Sequence, residues 1–99
     1  MKITKTKHGN SLCLALKGRI DTAIVPELEK LLKELLHGVA DLTIDLREMD
    51  YLSSDGLRVF ADAQKTMNKQ GFMRVIHVND KIMKIFEVNG FVDILTIEE

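Results

Sequence analysis

The chain has 99 residues, 45% apolar and 29% charged. That length can bury roughly 65% of the extended surface around one core, so a single domain over residues 1–99 is expected without disulfide or metal staples. Lys and Arg number 14 against 15 Asp and Glu, a formal net charge of −1 split as 8 basic and 8 acidic in the first fifty residues and 6 and 7 in the rest; neither half has the basic excess that a nucleic-acid partner requires.

Taken in chain order, Ile3-Thr4-Lys5-Thr6-Lys7 and Leu12-Cys13-Leu14-Ala15-Leu16-Lys17 flank His8-Gly9-Asn10. Gly and Asn can supply positive φ there, which predicts a β-hairpin. Its first strand is rich in lysine, and such charges suit an edge because they discourage pairing with another chain. A helix follows, with Pro26 in its first turn, Glu27 and Glu29 near the positive end and Gly38 past the last turn. Leu28, Leu31, Leu32, Leu35 and Leu36 fall on one helical face, while Glu29, Lys30, Lys33 and Glu34 fall on the other. Asp41 to Leu46 alternates with period 2, a strand pointing Leu42, Ile44 and Leu46 inward.

A second helix is expected from about Ser54 to Lys69, ending at Gly71, with Leu57, Phe60, Ala61, Gln64 and Met67 on or beside its inner face. Phe72 to Val78 reads as the next strand. Lys81 to Val88 reads as a third helix, capped by Asn79 or Asp80 and stopped by Asn89-Gly90, with a last strand near Ile94-Leu95-Thr96-Ile97. Strands alternating with helices imply an α/β fold with parallel neighbours joined by right-handed crossovers. A strand covered on both faces is apolar on both. Because Asp41, Thr43 and Asp45 oppose Leu42, Ile44 and Leu46, helices are expected mainly on one face.

Cys13 is the only cysteine. No intramolecular disulfide is available, and a reducing compartment is expected. The longest apolar run, Leu12 to Leu16, is far short of a spanning helix, and Met1 to Lys5 has no signal-peptide core. A cytoplasmic protein without membrane insertion is the expectation.

Ser53 and Ser54 stand where the Asp41 strand should give way to the second helix. Either hydroxyl can cap the helix, and Asp55 favours its positive end. The same position also tolerates an added phosphate, since the helix dipole stabilises an anion there. One loop can serve both ends.

Gly18-Arg19-Ile20-Asp21 after a strand, Leu46 with Met49 and Tyr51, then Ser53-Ser54-Asp55-Gly56-Leu57-Arg58, and finally Gly90-Phe91, resemble the STAS domain of bacterial anti-sigma factor antagonists over nearly the whole chain. The resemblance implies a small mixed sheet in which an N-terminal hairpin leads into a strand–helix superhelix. It also implies a non-enzymatic binding module, with no catalytic residues and no cofactor. In that family the unphosphorylated antagonist binds an anti-sigma factor that is a serine protein kinase, which frees a sigma factor; phosphorylation releases the antagonist and a serine phosphatase restores it. The family's acceptor lies two residues before the motif glycine, which corresponds to Ser54 here, with Ser53 as the alternative. Asp21, Ser53, Ser54, Asp55 and Gly56 form the implied partner-binding loop. Arg58 and Asp62, about one and two helical turns beyond Ser54, share its side.

Two positions depart from the pattern. Ser53 stands where an aspartate commonly precedes the acceptor, and Asp55 replaces a small residue. A second reading within the same domain type is a small STAS subunit docking on the ATPase of a bacterial lipid transporter, with no need for an acceptor serine.

Other chemistry finds little support. His8, His37 and His77 are too scattered for a metal signature. There is no Gly-x-Ser-x-Gly elbow and no phosphate-loop spacing around Gly56. Met67, Met73, Met83 and Phe86 are expected to fill core gaps, and Cys13 to be a strand residue rather than a reactive thiol.

Overall fold

The computed structural model describes residues 1–98. Strand β1 (Lys2–His8) and strand β2 (Ser11–Ile20) form an antiparallel hairpin through Gly9-Asn10. A short 3₁₀ turn (Thr22–Ile24) leads into helix α1 (Val25–Leu35). Strand β3 (Asp41–Leu52), helix α2 (Ser54–Gln70), strand β4 (Phe72–Ile76) and helix α3 (Asp80–Val88) follow. The sheet order is β1-β2-β3-β4, with β2–β3 and β3–β4 parallel.

Alternation decides the two faces. Leu12, Leu14 and Leu16 of β2 and Leu42, Ile44 and Leu46 of β3 are all buried and lie in one core with α1, α2 and α3. On the opposite face Cys13, Ala15, Thr43, Asp45 and Arg74 are only half-buried, and Arg74 Nη2 pairs with Asp41 Oδ1 at 3.2 Å. Helices therefore cover mainly one side, as the polar half of β3 required.

Strand β3 runs six residues beyond the regular alternation that ended the expected strand at Leu46. The β2–β3 register shifts between Ala15 and Lys17 and again between Gly18 and Arg19. After these irregularities Leu46, Met49 and Leu52 point inward at spacings of three, because a bulge turns the following residues to the other side. The strand is continuous although its pattern is not.

Three other ends differ from expectation. Strand β4 stops at Ile76 rather than Val78: His77 takes φ +55, outside the β region. Its ring instead lies beside β3, with Nδ1 3.1 Å from Asp45 Oδ1 and Nε2 3.0 Å from Arg47 Nη2. The expected last strand reduces to one parallel bridge between Val75 and Ile97. Upstream of it the Phe91 carbonyl accepts the N–H groups of both Ile94 and Leu95, a turn that buries Leu95 and leaves Ile94 exposed. Helix α2 does end at Gly71, but not through a left-handed residue, since Gly71 is extended at φ 168. A Cβ there would lie 1.9 Å from the Ala40 carbonyl oxygen. Close approach, rather than backbone handedness, demands glycine.

Two polar side chains, Gln70 and Asn79, tie the layers together. Gln70 Nε2 donates to the carbonyls of Leu36 and Val39 at 2.6 and 2.7 Å, satisfying acceptors where α1 ends. Asn79 caps α3 by accepting from Ile82 N–H at 2.9 Å and donates to the Met49 carbonyl at 3.0 Å, fixing α3 to the far half of β3. The inner face of α2 is wider than expected, because Val59 and Ala63 are buried beside Phe60 and Met67. Both also line the groove between α2 and α1.

Candidate functional site

The β3–α2 junction lies where two parallel strands end together. Ile20 pairs with Leu52, so the segment after β2 and the segment after β3 emerge side by side at the carboxyl ends of their strands. The Ser53 N–H donates to the Ile20 carbonyl at 2.9 Å, extending the pairing by one bond. Ser53 is buried, and its Oγ accepts the Gly56 N–H at 3.0 Å while its carbonyl accepts the Leu57 N–H at 3.0 Å. It is the N-cap of α2, holding extended geometry at φ −77 and ψ 165.

With Ser53 committed inward, Ser54 is the first helical residue and is exposed. Gly56 sets how near the helix can come. A Cβ on it would stand 2.8 Å from Ile20 Cγ2 and 3.4 Å from Ser53 Oγ, and Ile20 is fully buried. The helix start thus rests on Ile20.

The implied binding residues divide by burial. Ser53 and Gly56 are buried and shape the loop, Ser53 through its cap hydrogen bond and Gly56 through its close approach to Ile20. Asp55 is half-buried, and Asp21, Arg58 and Asp62 are exposed. Asp21 opens the 3₁₀ turn, its Oδ1 accepting the Ile24 N–H at 3.3 Å. The β2–β3 pairing brings it beside the serine loop across more than thirty residues of sequence. Arg58 and Asp62 follow Ser54 on α2, and Asp62 also borders the α1–α2 groove.

Arg19 is a further element of this end of the sheet. It pairs with Tyr51 across the strands, and its guanidinium lies 4.7 Å from the centre of the Tyr51 ring. Nothing in the spacing of these two residues along the sequence joins them, because the pairing depends on the shifted register.

Elsewhere, among the described residues no group of three or more His, Cys, Asp or Glu side chains could hold a metal ion. His77 has an arginine as well as a carboxylate beside it. Burial, reinforced by the Asp45 carboxylate, raises the Cys13 thiol pKa, which disfavours the reactive thiolate. No helix among the described residues is long and apolar enough to cross a membrane.

Comparison with known proteins gives this geometry a context. A family model described as "Mlab, STAS domain" matches residues 3–96. The anti-sigma-B factor antagonist of Bacillus subtilis (strain 168) is 32% identical over 92 residues, which cover 92% of this chain and 84% of that protein. Among solved structures, an anti-sigma factor antagonist from Mycobacterium paratuberculosis aligns with a TM-score of 0.84 at 19% identity, over 97% of this chain and 83% of that one. The Bacillus cell fate determinant SpoIIAA in its phosphorylated form aligns with a TM-score of 0.74 at 11% identity, over 99% and 92%.

Proposed function

The chain belongs to the STAS-domain family of anti-sigma factor antagonists, regulatory binding proteins rather than enzymes, and from that premise we propose that it is a phosphorylation-switched antagonist acting in the cytoplasm. Its unphosphorylated form binds an anti-sigma factor that is a serine protein kinase and so frees a sigma factor. Phosphorylation of Ser54 ends the binding, and a serine phosphatase restores it.

One observation carries the assignment of the acceptor. Of the two adjacent serines, Ser53 is buried with its hydroxyl accepting from Gly56 N–H, while Ser54 is exposed at the first position of α2. A kinase needs an accessible hydroxyl, and only Ser54 offers one without uncapping the helix. Asp21, Asp55, Arg58 and Asp62 are the surface residues proposed to meet the partner.

The switch works at the interface rather than by refolding. A phosphate adds about −1.5 to −2 charges, and at the positive end of α2 it is tolerated by the host domain. Against a closely fitted partner the same charge and bulk are costly. A loss of about 3 kcal/mol weakens binding more than a hundredfold.

The test is capture from lysate of the source cells with wild-type, Ser54→Ala and Ser54→Asp protein as bait, with mass spectrometry of partners and phosphosites. An anti-sigma serine kinase should be retained by the first two and lost with the third, and phosphate should map to Ser54. Retention by Ser54→Asp at wild-type strength would overturn the switch. Recovery of a transporter ATPase without a serine kinase would favour the transporter-subunit reading instead.

A further inference from the structure

We propose that phosphate on Ser54 is drawn into an intramolecular ion pair with Arg58, so that phosphorylation both adds an anion to the docking face and withdraws the cation that the first two turns of α2 present. This rests on the reading of Ser54 as the acceptor.

Ser54 and Arg58 are both exposed and stand four residues apart within α2. At that spacing side chains are surface neighbours, roughly 5–6 Å apart at Cβ, and an acidic group N-terminal to a basic one is the favourable order. The guanidinium is available. Among the described residues Arg58 makes no ion pair within 4.0 Å, although Asp55 and Asp62 lie three and four positions away. Arg19, a cation on the neighbouring strand, is stacked over Tyr51.

The charges facing the new phosphate are few. Asp55 shares its turn and Asp21 lies on the adjoining loop, both of like sign, with Asp21 Oδ1 accepting from Ile24 N–H. The Gly56 N–H is already taken by Ser53 Oγ. Arg58 is thus the side-chain cation that the first two turns of α2 offer to compensate the phosphate, and a guanidinium fork matches phosphate oxygens in bidentate fashion. Before modification the same fork is free to meet a carboxylate of the partner. Afterwards it is held at home.

Phosphoserine installed at position 54 of the full chain by stop-codon suppression allows a direct test, in which ³¹P NMR follows the second phosphate ionisation, ordinarily near pH 6. The phosphate pKa in the otherwise wild-type protein should lie about 0.3–0.7 unit below that in Arg58→Gln, a roughly two- to fivefold change in proton affinity. Arg58→Lys should fall between, since an ammonium pairs without the fork, and Arg19→Gln should leave the value unchanged. Superimposable titrations for wild type and Arg58→Gln, or a shift produced by Arg19→Gln instead, would overturn the pairing. Failure of the acceptor reading shows separately, as phosphate absent from Ser54 in protein isolated from its own cells, whatever the titrations report.

Discussion

The Ile20 carbonyl accepts the backbone N–H of Ser53 at 2.9 Å, while the Ile20 side chain occupies the space beneath the first turn of the helix that Ser53 caps. The end of one strand thereby sets both the height and the orientation of the serine loop carried by its neighbour. The exposure of Ser54 follows from that support, not from its own contacts.

Gly56→Ala weighs two opposing effects. Alanine in a helix is favoured over glycine by about 1 kcal/mol, but its Cβ would stand 2.8 Å from Ile20 Cγ2, a branch methyl on a buried side chain that cannot swing aside. Overpacking of this kind costs about 1–3 kcal/mol, so urea denaturation should show net destabilisation. A more stable variant would mean that Ile20 does not support the helix start as described.

The two serines should separate in stability as they do in burial. Ser53→Ala removes the cap and strands the Gly56 N–H, and should cost about 1 kcal/mol. Ser54→Ala, on an exposed position, should stay within about 0.5 kcal/mol of wild type. Equal effects in thermal melts would contradict the assignment of Ser53 as the cap.

Gln70→Ala should loosen the end of α1 from a distance of thirty residues in sequence. Two carbonyls, of Leu36 and Val39, lose their side-chain donor, at a cost of about 1–2 kcal/mol. Hydrogen exchange should speed up at the α1 terminus more than at α3; uniform acceleration would signal only global destabilisation.

The Cys13 thiol has a raised pKa, chiefly from burial and then from the Asp45 carboxylate. A group whose folded pKa exceeds its unfolded value contributes stability below the unfolded pKa and loses it as pH rises through the folded one. Stability should therefore decline above about pH 9, and Cys13→Ser should remove that part of the decline. Alkylation at pH 8 should be slower in the folded protein than in urea, and Asp45→Asn should partly restore the rate. A folded-state rate matching that in urea would exclude the raised pKa.

Local rules determine much of this molecule because they act over a few residues. The leucine stripe of α1, the alternation of Asp41 to Leu46, the cap before α2 and the lysine-rich edge strand are each readable without knowing what they pack against, and together they imply a sheet covered mainly on one side. The serine loop is likewise visible as a helix entrance. The division of its two hydroxyls is not, since either serine could cap, and the choice came from Ile20 receiving the Ser53 N–H and lying under Gly56. The same holds for the last six residues of β3, turned by bulges that only pairing with β2 creates, for the failed final strand, and for Gln70 and Asn79, whose partners lie some thirty residues away. Interactions between segments distant in sequence leave no period to read; burial and register decide them once the sheet has closed.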